Sequence, residues 1–86
     1  MDMTYRIEVT RTALKSLRRI DAADLPRLRG AIALLAKDPR PPASRPLRGR
    51  DGWRLRVGDY RILYTIRDDV LLIVIVQVAH RRAAYH

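Results

Sequence analysis

Residues 52–67, a predicted β-hairpin, read GWRLRVGDYRILYTIR. Apolar and basic residues alternate in both arms, which is the period-two pattern of half-buried strands, and Gly-Asp at 58–59 is typical of a tight turn. The residues predicted for the buried face are Trp53, Leu55, Val57, Tyr60, Ile62, Tyr64 and Ile66, and those for the opposite face are Arg54, Arg56, Arg61, Leu63, Thr65 and Arg67. The hairpin therefore predicts a sheet with one apolar face and one largely basic face.

Two helices are predicted upstream of this hairpin. Thr10 or Thr12 offers a hydroxyl that can cap the first helix, which is expected to end near Asp21. Asp24 can cap the second helix, and Pro39 is expected to stop it. The apolar stripes are Leu14, Leu17 and Ile20 in the first helix, and Leu25, Leu28, Ala31, Ile32, Leu34 and Leu35 in the second.

The remaining segments complete the predicted fold. Residues 5–9 alternate as a half-buried strand, whereas residues 38–46 hold four of the five prolines and predict a stiff loop. After a turn at Asp-Asp 68–69, residues 70–76 are continuously apolar, as expected for a central strand covered on both faces. The order β-α-α-β-β-β predicts a two-layer α+β fold in one domain, residues 1–86, with the N-terminal strand joining a mainly antiparallel sheet and both helices on one face.

The net charge of +9 is the main global property of the chain. Of 18 basic residues only Lys15 and Lys37 are lysines; arginine grips phosphate through a planar fork, although a high genomic GC content explains the same bias. Polyanions are the expected partners, nucleic acid first and an acidic protein second. The absence of Cys excludes disulfides and thiol catalysis, and neither a metal nor a cofactor is expected. The sequence has no signal-peptide pattern and no apolar run approaching the roughly 20 residues of a membrane span, so a soluble, cytoplasmic protein is expected.

Arginines dominate the predicted basic face. Arg54 and Arg56 project from one strand, and Arg61 projects from the next, just after the turn. The exit of the last strand adds His80 and Arg81, which the meander is expected to bring close to them. Solvation alone accounts for many charged faces of antiparallel sheets. However, the strand carries no acidic neighbour to relieve Arg54 and Arg56, and a bound phosphate would relieve them.

These segments resemble the toxins of the RelE/ParE superfamily. The similar stretches are residues 52–64, Pro-Leu-Arg-Gly at 46–49, the helix at 12–17, Asp-Pro at 38–39 and the ending His80-Arg81-Arg82-x-x-Tyr85. They span nearly the whole chain, and the ending favours the RelE side of the superfamily. The resemblance implies the toxin of a bacterial type II toxin–antitoxin pair, which enters the ribosomal A site and cuts mRNA. The 2′-hydroxyl attacks the adjacent phosphate and leaves a 2′,3′-cyclic phosphate and a 5′-hydroxyl.

The resemblance also implies a role for each matching residue. Arg54 and Arg56 match the basic pair on the strand that opens the hairpin, and Arg61 matches the arginine that stabilises the phosphorane transition state. Arg81 matches the basic residue that serves the leaving group, and Tyr85 matches a tyrosine that orients or stacks on the substrate. The other basic residues predicted to bind RNA are Arg45, Arg48, Arg50, Arg67 and Arg82.

One departure from the family concerns proton transfer. Relatives often carry lysine in the basic pair, where this chain has Arg54 and Arg56. A guanidinium stays protonated at neutral pH and is a poor general base. Proton transfer then falls to His80, since an imidazole exchanges protons near neutral pH, or to Tyr85. Alternatively, the site works by electrostatic stabilisation on a substrate that the ribosome aligns.

Two other functions remain open at this point. A ParE-like protein would trap DNA gyrase without catalysis, and a nuclease-dead member would only bind RNA or protein. All three possibilities imply an acidic antitoxin that is partly disordered when free and folds around the toxin. The expected partners are therefore an antitoxin together with the ribosome and mRNA, or alternatively gyrase, and no membrane.

Overall fold

A five-stranded mixed sheet carries two helices on one face, and the computed structural model describes it for residues 4–80. The elements are β1 (Arg6–Val9), α1 (Arg11–Arg18), α2 (Leu25–Lys37), β2 (Ser44–Pro46), β3 (Trp53–Val57), β4 (Tyr60–Arg67) and β5 (Leu72–His80). The strand order is β1-β5-β4-β3-β2, with β1 parallel to β5 and every other pair antiparallel. The predicted α+β fold and its element order are confirmed, including the junction of the first strand with the sheet.

The short strand β2 lies inside the segment that was expected to be a loop. Ser44 pairs with Leu55, Arg45 with Arg54, and Pro46 with Trp53 in β3. Three residues are too few for a periodic signal, and proline disfavours a strand interior but is tolerated at a sheet edge. The prediction of a loop over residues 38–46 was therefore wrong at its C-terminal end, which forms one edge of the sheet.

The buried core lies between the sheet and the helices. Its fully or nearly fully buried members are Ala13, Leu28, Leu35, Leu55, Ile62, Tyr64, Ile73, Ile75 and Val78. Partly buried apolar side chains pack around them, including Trp53, Val57, Tyr60 and Ile66 from the hairpin. The apolar face predicted from the hairpin sequence is therefore the core face.

Helix α1 begins as predicted at Thr10, whose hydroxyl accepts a hydrogen bond from the backbone N–H of Ala13 (3.1 Å). That start buries Ala13, with Leu17 packed against the core, whereas Leu14 remains 45% exposed. Leu14 was expected in the stripe, but one residue turns a helix by about 100°, so it cannot share the inner face with Ala13. The helix also ends at Arg18, before the predicted end near residue 21.

Helix α2 buries Leu28 and Leu35, but Leu34 is 66% exposed and was wrongly assigned to its stripe. The helix ends at Lys37, as the proline at position 39 predicted. Asp24 occupies the predicted cap position, yet its side chain makes no capping hydrogen bond. Its carboxylate accepts a hydrogen bond from the Tyr60 hydroxyl instead (3.2 Å).

Strand β5 begins later than predicted, at Leu72. Val70 is 55% exposed in the preceding turn, and Leu71 has a positive φ of 50°, which takes it out of a strand. The strand lies between β1 and β4, but its burial alternates, with Ile73 buried and Val74 only partly buried. Within residues 4–80 the helices cover one face of this strand, so the expectation of cover on both faces is wrong for the described chain.

No helix in the described part of the chain is long and apolar enough to cross a membrane.

Candidate active site

Four arginines form a cluster on the outer face of the sheet, the face opposite the helices. Arg54 and Arg56 alternate with buried Leu55 in β3, and Arg61 precedes buried Ile62 in β4. Arg56 and Arg61 stand directly opposite each other, as do Arg45 and Arg54. Directly paired residues have Cβ atoms about 5 Å apart, so four positive charges share one small area. We call Arg45, Arg54, Arg56 and Arg61 the arginine cluster.

Carboxylates do not neutralise this cluster within residues 4–80. The ion pairs there join Arg6 to Glu8, Arg40 to Asp68 and Arg67 to Asp69, and none includes a cluster member. The Arg45 guanidinium donates to two carbonyl oxygens, of Pro42 (2.8 Å) and Ser44 (2.7 Å). Like charges opposite each other destabilise a strand pair. A bound polyanion would therefore remove an unfavourable interaction as well as add a favourable one.

Arg67 is on the outer face but is not part of this cluster. It lies six residues beyond Arg61 on β4, which is about 20 Å of strand. Its guanidinium binds Asp69 through two contacts, Nη2 to Oδ2 (3.0 Å) and Nε to Oδ1 (3.2 Å). The hydrogen bond from Asp69 raises the pKa of Arg67, so this side chain is already paired with an anion.

The loop between β2 and β3 carries two further arginines of the predicted RNA-binding set. Arg48 and Arg50 are exposed there. The loop is closed at its base by the Leu47 N–H, which donates to the Gly52 carbonyl (3.0 Å). These two arginines therefore extend the positive charge beyond the end of the sheet that holds Arg45 and Arg54.

His80 is placed on the other side of the sheet. It pairs with Tyr60, whose side chain packs against the core, and the two rings meet edge to face with centroids 5.1 Å apart. The residue paired with Arg61 is Ala79, one position earlier. Because side chains of a strand alternate between faces, the His80 ring points towards the helices and away from the arginine cluster. The structure therefore does not bring His80 together with the arginines, as the sequence had led us to expect.

The last three residues assigned from the sequence, Arg81, Arg82 and Tyr85, lie outside the described residues. The structure adds one residue that sequence reasoning missed. Gln77 is exposed on the outer face and pairs with Leu63, two positions from Ala79. It is the single polar side chain in the run from 70 to 79 after Asp69, and this interruption of an apolar strand was the available signal.

Tyr60 and Tyr64 have hydroxyls held by hydrogen bonds on the helix side of the sheet. Burial, followed by the hydrogen bond to Asp24, raises the pKa of Tyr60. Burial likewise raises the pKa of Tyr64, whose hydroxyl donates to the Pro39 carbonyl (2.8 Å). Both tyrosines stay neutral near pH 7 and contribute to the core, in agreement with their predicted structural role.

The chain can now be classified as a small α+β protein with helices on one face of its sheet and an arginine cluster on the other. Residues 7–85 match the family described as ParE toxin of type II toxin-antitoxin system, parDE. The chain belongs to this family, within the RelE/ParE superfamily of toxins. The family that the sequence resemblance indicated is therefore confirmed.

Proteins of known structure share this fold over most of their length. A chain of the archaeal RelE–RelB complex from Pyrococcus horikoshii OT3 gives a TM-score of 0.81 at 27% identity, covering 91% of this chain and 96% of that chain. A chain of the toxin–antitoxin complex RelBE2 from Mycobacterium tuberculosis gives 0.81 at 31% identity, covering 91% and 92%. A Methanocaldococcus jannaschii protein that carries the name RelE1 is 28% identical over 87 residues, which are 96% of this chain and 97% of that protein.

Proposed function

We propose that this toxin is a ribosome-dependent mRNA endoribonuclease. The observation that carries the proposal is the pairing of Arg56 with Arg61 across β3 and β4, with Arg54 beside them and no ion pair to a carboxylate within residues 4–80. Three converging guanidinium groups suit a phosphodiester whose negative charge grows in the transition state. In this proposal residues 1–86 act as one toxin domain.

The reaction is a transesterification within the RNA strand. The 2′-oxygen of one nucleotide forms a bond to the adjacent phosphorus, and the bond from phosphorus to the 5′-oxygen breaks. The 2′-hydroxyl loses its proton and the leaving 5′-oxygen gains one, so the products are a 2′,3′-cyclic phosphate and a 5′-hydroxyl. Arg61 stabilises the phosphorane, while Arg54 and Arg56 neutralise and orient its oxygens. By resemblance, Arg81 serves the leaving oxygen and Tyr85 orients the substrate.

Proton transfer has no evident agent beside the cluster in the described chain. The β5 and β4 neighbours on the outer face are Leu63, Gln77 and Ala79, which carry neither a carboxylate nor an imidazole. The arginines themselves are poor bases. Catalysis by positioning and electrostatic stabilisation therefore gains weight, and the ribosome supplies the alignment. We expect slow or negligible cutting of free RNA.

Primer extension on a reporter mRNA in a purified translation system tests this proposal. Cuts within A-site codons should appear with ribosomes and be absent without them. Arg61→Ala should reduce the cleavage rate by about 10²–10³-fold, as loss of one transition-state donor does. Arg6→Ala is the matched control, since Arg6 is an exposed arginine at the far edge of the sheet. Equal cutting of naked and ribosome-bound mRNA would contradict the ribosome-dependent mechanism.

A second candidate function is poisoning of DNA gyrase without catalysis. The observation in its favour is the match of residues 7–85 to the ParE toxin family. A purified protein that leaves mRNA intact but accumulates gyrase–DNA cleavage complexes would support this function. Arg61→Ala separates the two, because a gyrase poison has no phosphorane to stabilise. A protein inactive in both assays but still binding RNA would fit the nuclease-dead alternative.

An acidic antitoxin is the partner that we propose under either function. The solved relatives named above are RelE–RelB and RelBE2 toxin–antitoxin complexes. The net charge of +9 favours an acidic protein that covers the arginine cluster. A ribosome or gyrase target places the toxin in the cytoplasm. Addition of the antitoxin should stop mRNA cleavage at stoichiometric amounts, and gel filtration should show a joint complex.

A further inference from the structure

The end of strand β5 is held by a column of three side chains on the helix side of the sheet. Asp24, at the N-terminal end of α2, accepts a hydrogen bond from the Tyr60 hydroxyl (3.2 Å). The Tyr60 ring meets the His80 ring edge to face, with centroids 5.1 Å apart and an interplanar angle of 89°. Tyr60 opens β4 and His80 ends β5, and their backbones are paired. The column therefore joins one helix to the ends of two strands.

Open space lies on both sides of the two rings. A cavity of about 110 Å³ lies between the start of α2 and the β3–β4 turn, and Tyr60 and His80 both line it. A second cavity, of about 380 Å³, lies towards the end of α1 and is lined by the same two residues. Side chains that border cavities have fewer close contacts to fix their position. The contact between the rings and the hydrogen bond to Asp24 consequently matter more here than in a densely packed core.

The β3–β4 turn is anchored to α2 at a second point. Gly58 has a φ of 59°, and a Cβ there would lie 3.0 Å from the Arg27 guanidinium Nη1. A side chain at Gly58 would thus be strained and would displace Arg27. Helix α2 therefore fixes the turn through Arg27 and the first residue of β4 through Asp24. Arg61 directly follows that residue.

We infer that His80 is a positioning residue, which acts through the Asp24–Tyr60–His80 column to fix where the chain leaves β5, rather than a catalytic acid or base. This inference rests on the proposed nuclease function. The backbone leaves the sheet at His80, and the next residue is Arg81, assigned to the leaving group. A strand alternates its side chains between faces, so a ring held on the helix side at position 80 favours the arginine side for position 81. The column thus aligns the C-terminal catalytic residues with Arg61.

Replacement of the imidazole by another aromatic ring separates positioning from proton transfer. His80→Phe keeps a ring against Tyr60 and removes the titrating group, whereas His80→Ala removes both. We expect His80→Ala to slow single-turnover cleavage on programmed ribosomes by about 10²-fold, since small misplacements of reacting groups cost that much. Its apparent affinity for the ribosome should not change. His80→Phe should restore the rate and keep the pH profile of the unsubstituted toxin.

Two tyrosine variants provide a matched pair. Tyr60→Phe removes only the hydroxyl that binds Asp24, and it should slow cleavage without a change in ribosome affinity. Tyr5→Phe removes a hydroxyl that binds Asp68 at the other end of the sheet, and it should leave the rate unchanged. This pair keeps the test informative if His80→Ala does not fold. A His80→Phe variant as slow as His80→Ala would show that the imidazole itself is needed and would overturn the inference.

Amide hydrogen exchange separates failure of the inference from failure of the proposed function. In His80→Ala, the amides that join the paired ends of β4 and β5 should exchange faster, and in His80→Phe they should keep their protection. This result does not depend on any activity. If the unsubstituted toxin cuts no mRNA, the nuclease proposal fails alone, and the exchange data still judge the column. Unchanged exchange in His80→Ala would overturn the positioning role.

Discussion

Asp68, in the turn between β4 and β5, joins segments that are far apart in the sequence. The Arg40 guanidinium donates to its carboxylate (Nη2 to Oδ2, 2.8 Å), and the Tyr5 hydroxyl donates to the same carboxylate. Arg40 also lies over the Trp53 ring, 5.4 Å from its centroid. The hydrogen bonds from Arg40 and then from Tyr5 lower the pKa of Asp68. One carboxylate thereby links β1, the loop after α2 and the β4–β5 turn.

The lowered pKa of Asp68 predicts a pH-dependent contribution to stability. A carboxyl with a lower pKa in the folded state stabilises the fold above its unfolded value of about 3.9, and this contribution is lost as the pH falls through the folded value. Asp68→Asn should therefore lower the free energy of unfolding at pH 7, and the difference should disappear in acid. Urea unfolding at pH 7 and at lower pH measures it.

Asp51→Asn is the control for this effect, because Asp51 is exposed and forms no ion pair within residues 4–80. It should leave the free energy of unfolding unchanged at both pH values. Equal stability of Asp68→Asn and the unsubstituted protein at pH 7 would show that solvent screening cancels the contacts of this exposed group.

Helix α2 illustrates at the level of the element how far sequence patterns reach. Its existence and its end at Lys37 followed from apolar spacing and Pro39. The side that it buries did not, because adjacent Leu34 and Leu35 are equally apolar, and only packing against the sheet distinguishes them. The same limit explains Leu14 in α1. Contacts between elements, which a single sequence does not display, set the rotation of each helix.

The phase of α2 can be tested with two neighbouring substitutions. Leu35 is completely buried, and Leu35→Ala should lower the free energy of unfolding by about 2–5 kcal/mol through lost burial and a new cavity. Leu34 is 66% exposed, and Leu34→Ala should change it by less than about 0.5 kcal/mol. Chemical denaturation of both variants measures the difference. Similar losses at the two positions would contradict the described rotation of the helix.

The strands show the same division between local pattern and distant contact. Alternation predicted both faces of the β3–β4 hairpin, because every residue there has a neighbour of opposite polarity. It did not predict β2, which is only three residues long, and it placed the start of β5 too early because Val70 and Leu71 are as apolar as the strand. The arginine cluster was thus foreseeable in the hairpin. Its fourth member, Arg45, required the pairing with Arg54.

At the scale of the whole molecule, the position of charge matters more than its amount. The chain has a net charge of +9, and its arginines on the outer face differ in their surroundings. Arg67 is paired with Asp69, whereas the arginine cluster has no ion pair within the described residues. The His80 position shows a related limit of sequence reasoning. A bulge between Leu63 and Tyr64 shifts the β4–β5 register, so the face of a strand-end residue could not be counted from the sequence.

The salt dependence of RNA binding distinguishes local charge from total charge. Arg54→Gln and Arg67→Gln remove the same net charge from the same face of the sheet. Each phosphate contact on a single strand contributes about 0.7 to the slope of log K against log salt, so Arg54→Gln should reduce the slope by about that amount. Arg67→Gln should change it less, because its guanidinium is already bound to Asp69. Fluorescence anisotropy with a short single-stranded RNA over a range of salt concentrations measures both slopes. Equal reductions would mean that RNA responds to the overall field of the protein, and the arginine cluster would then lose its standing as a phosphate site.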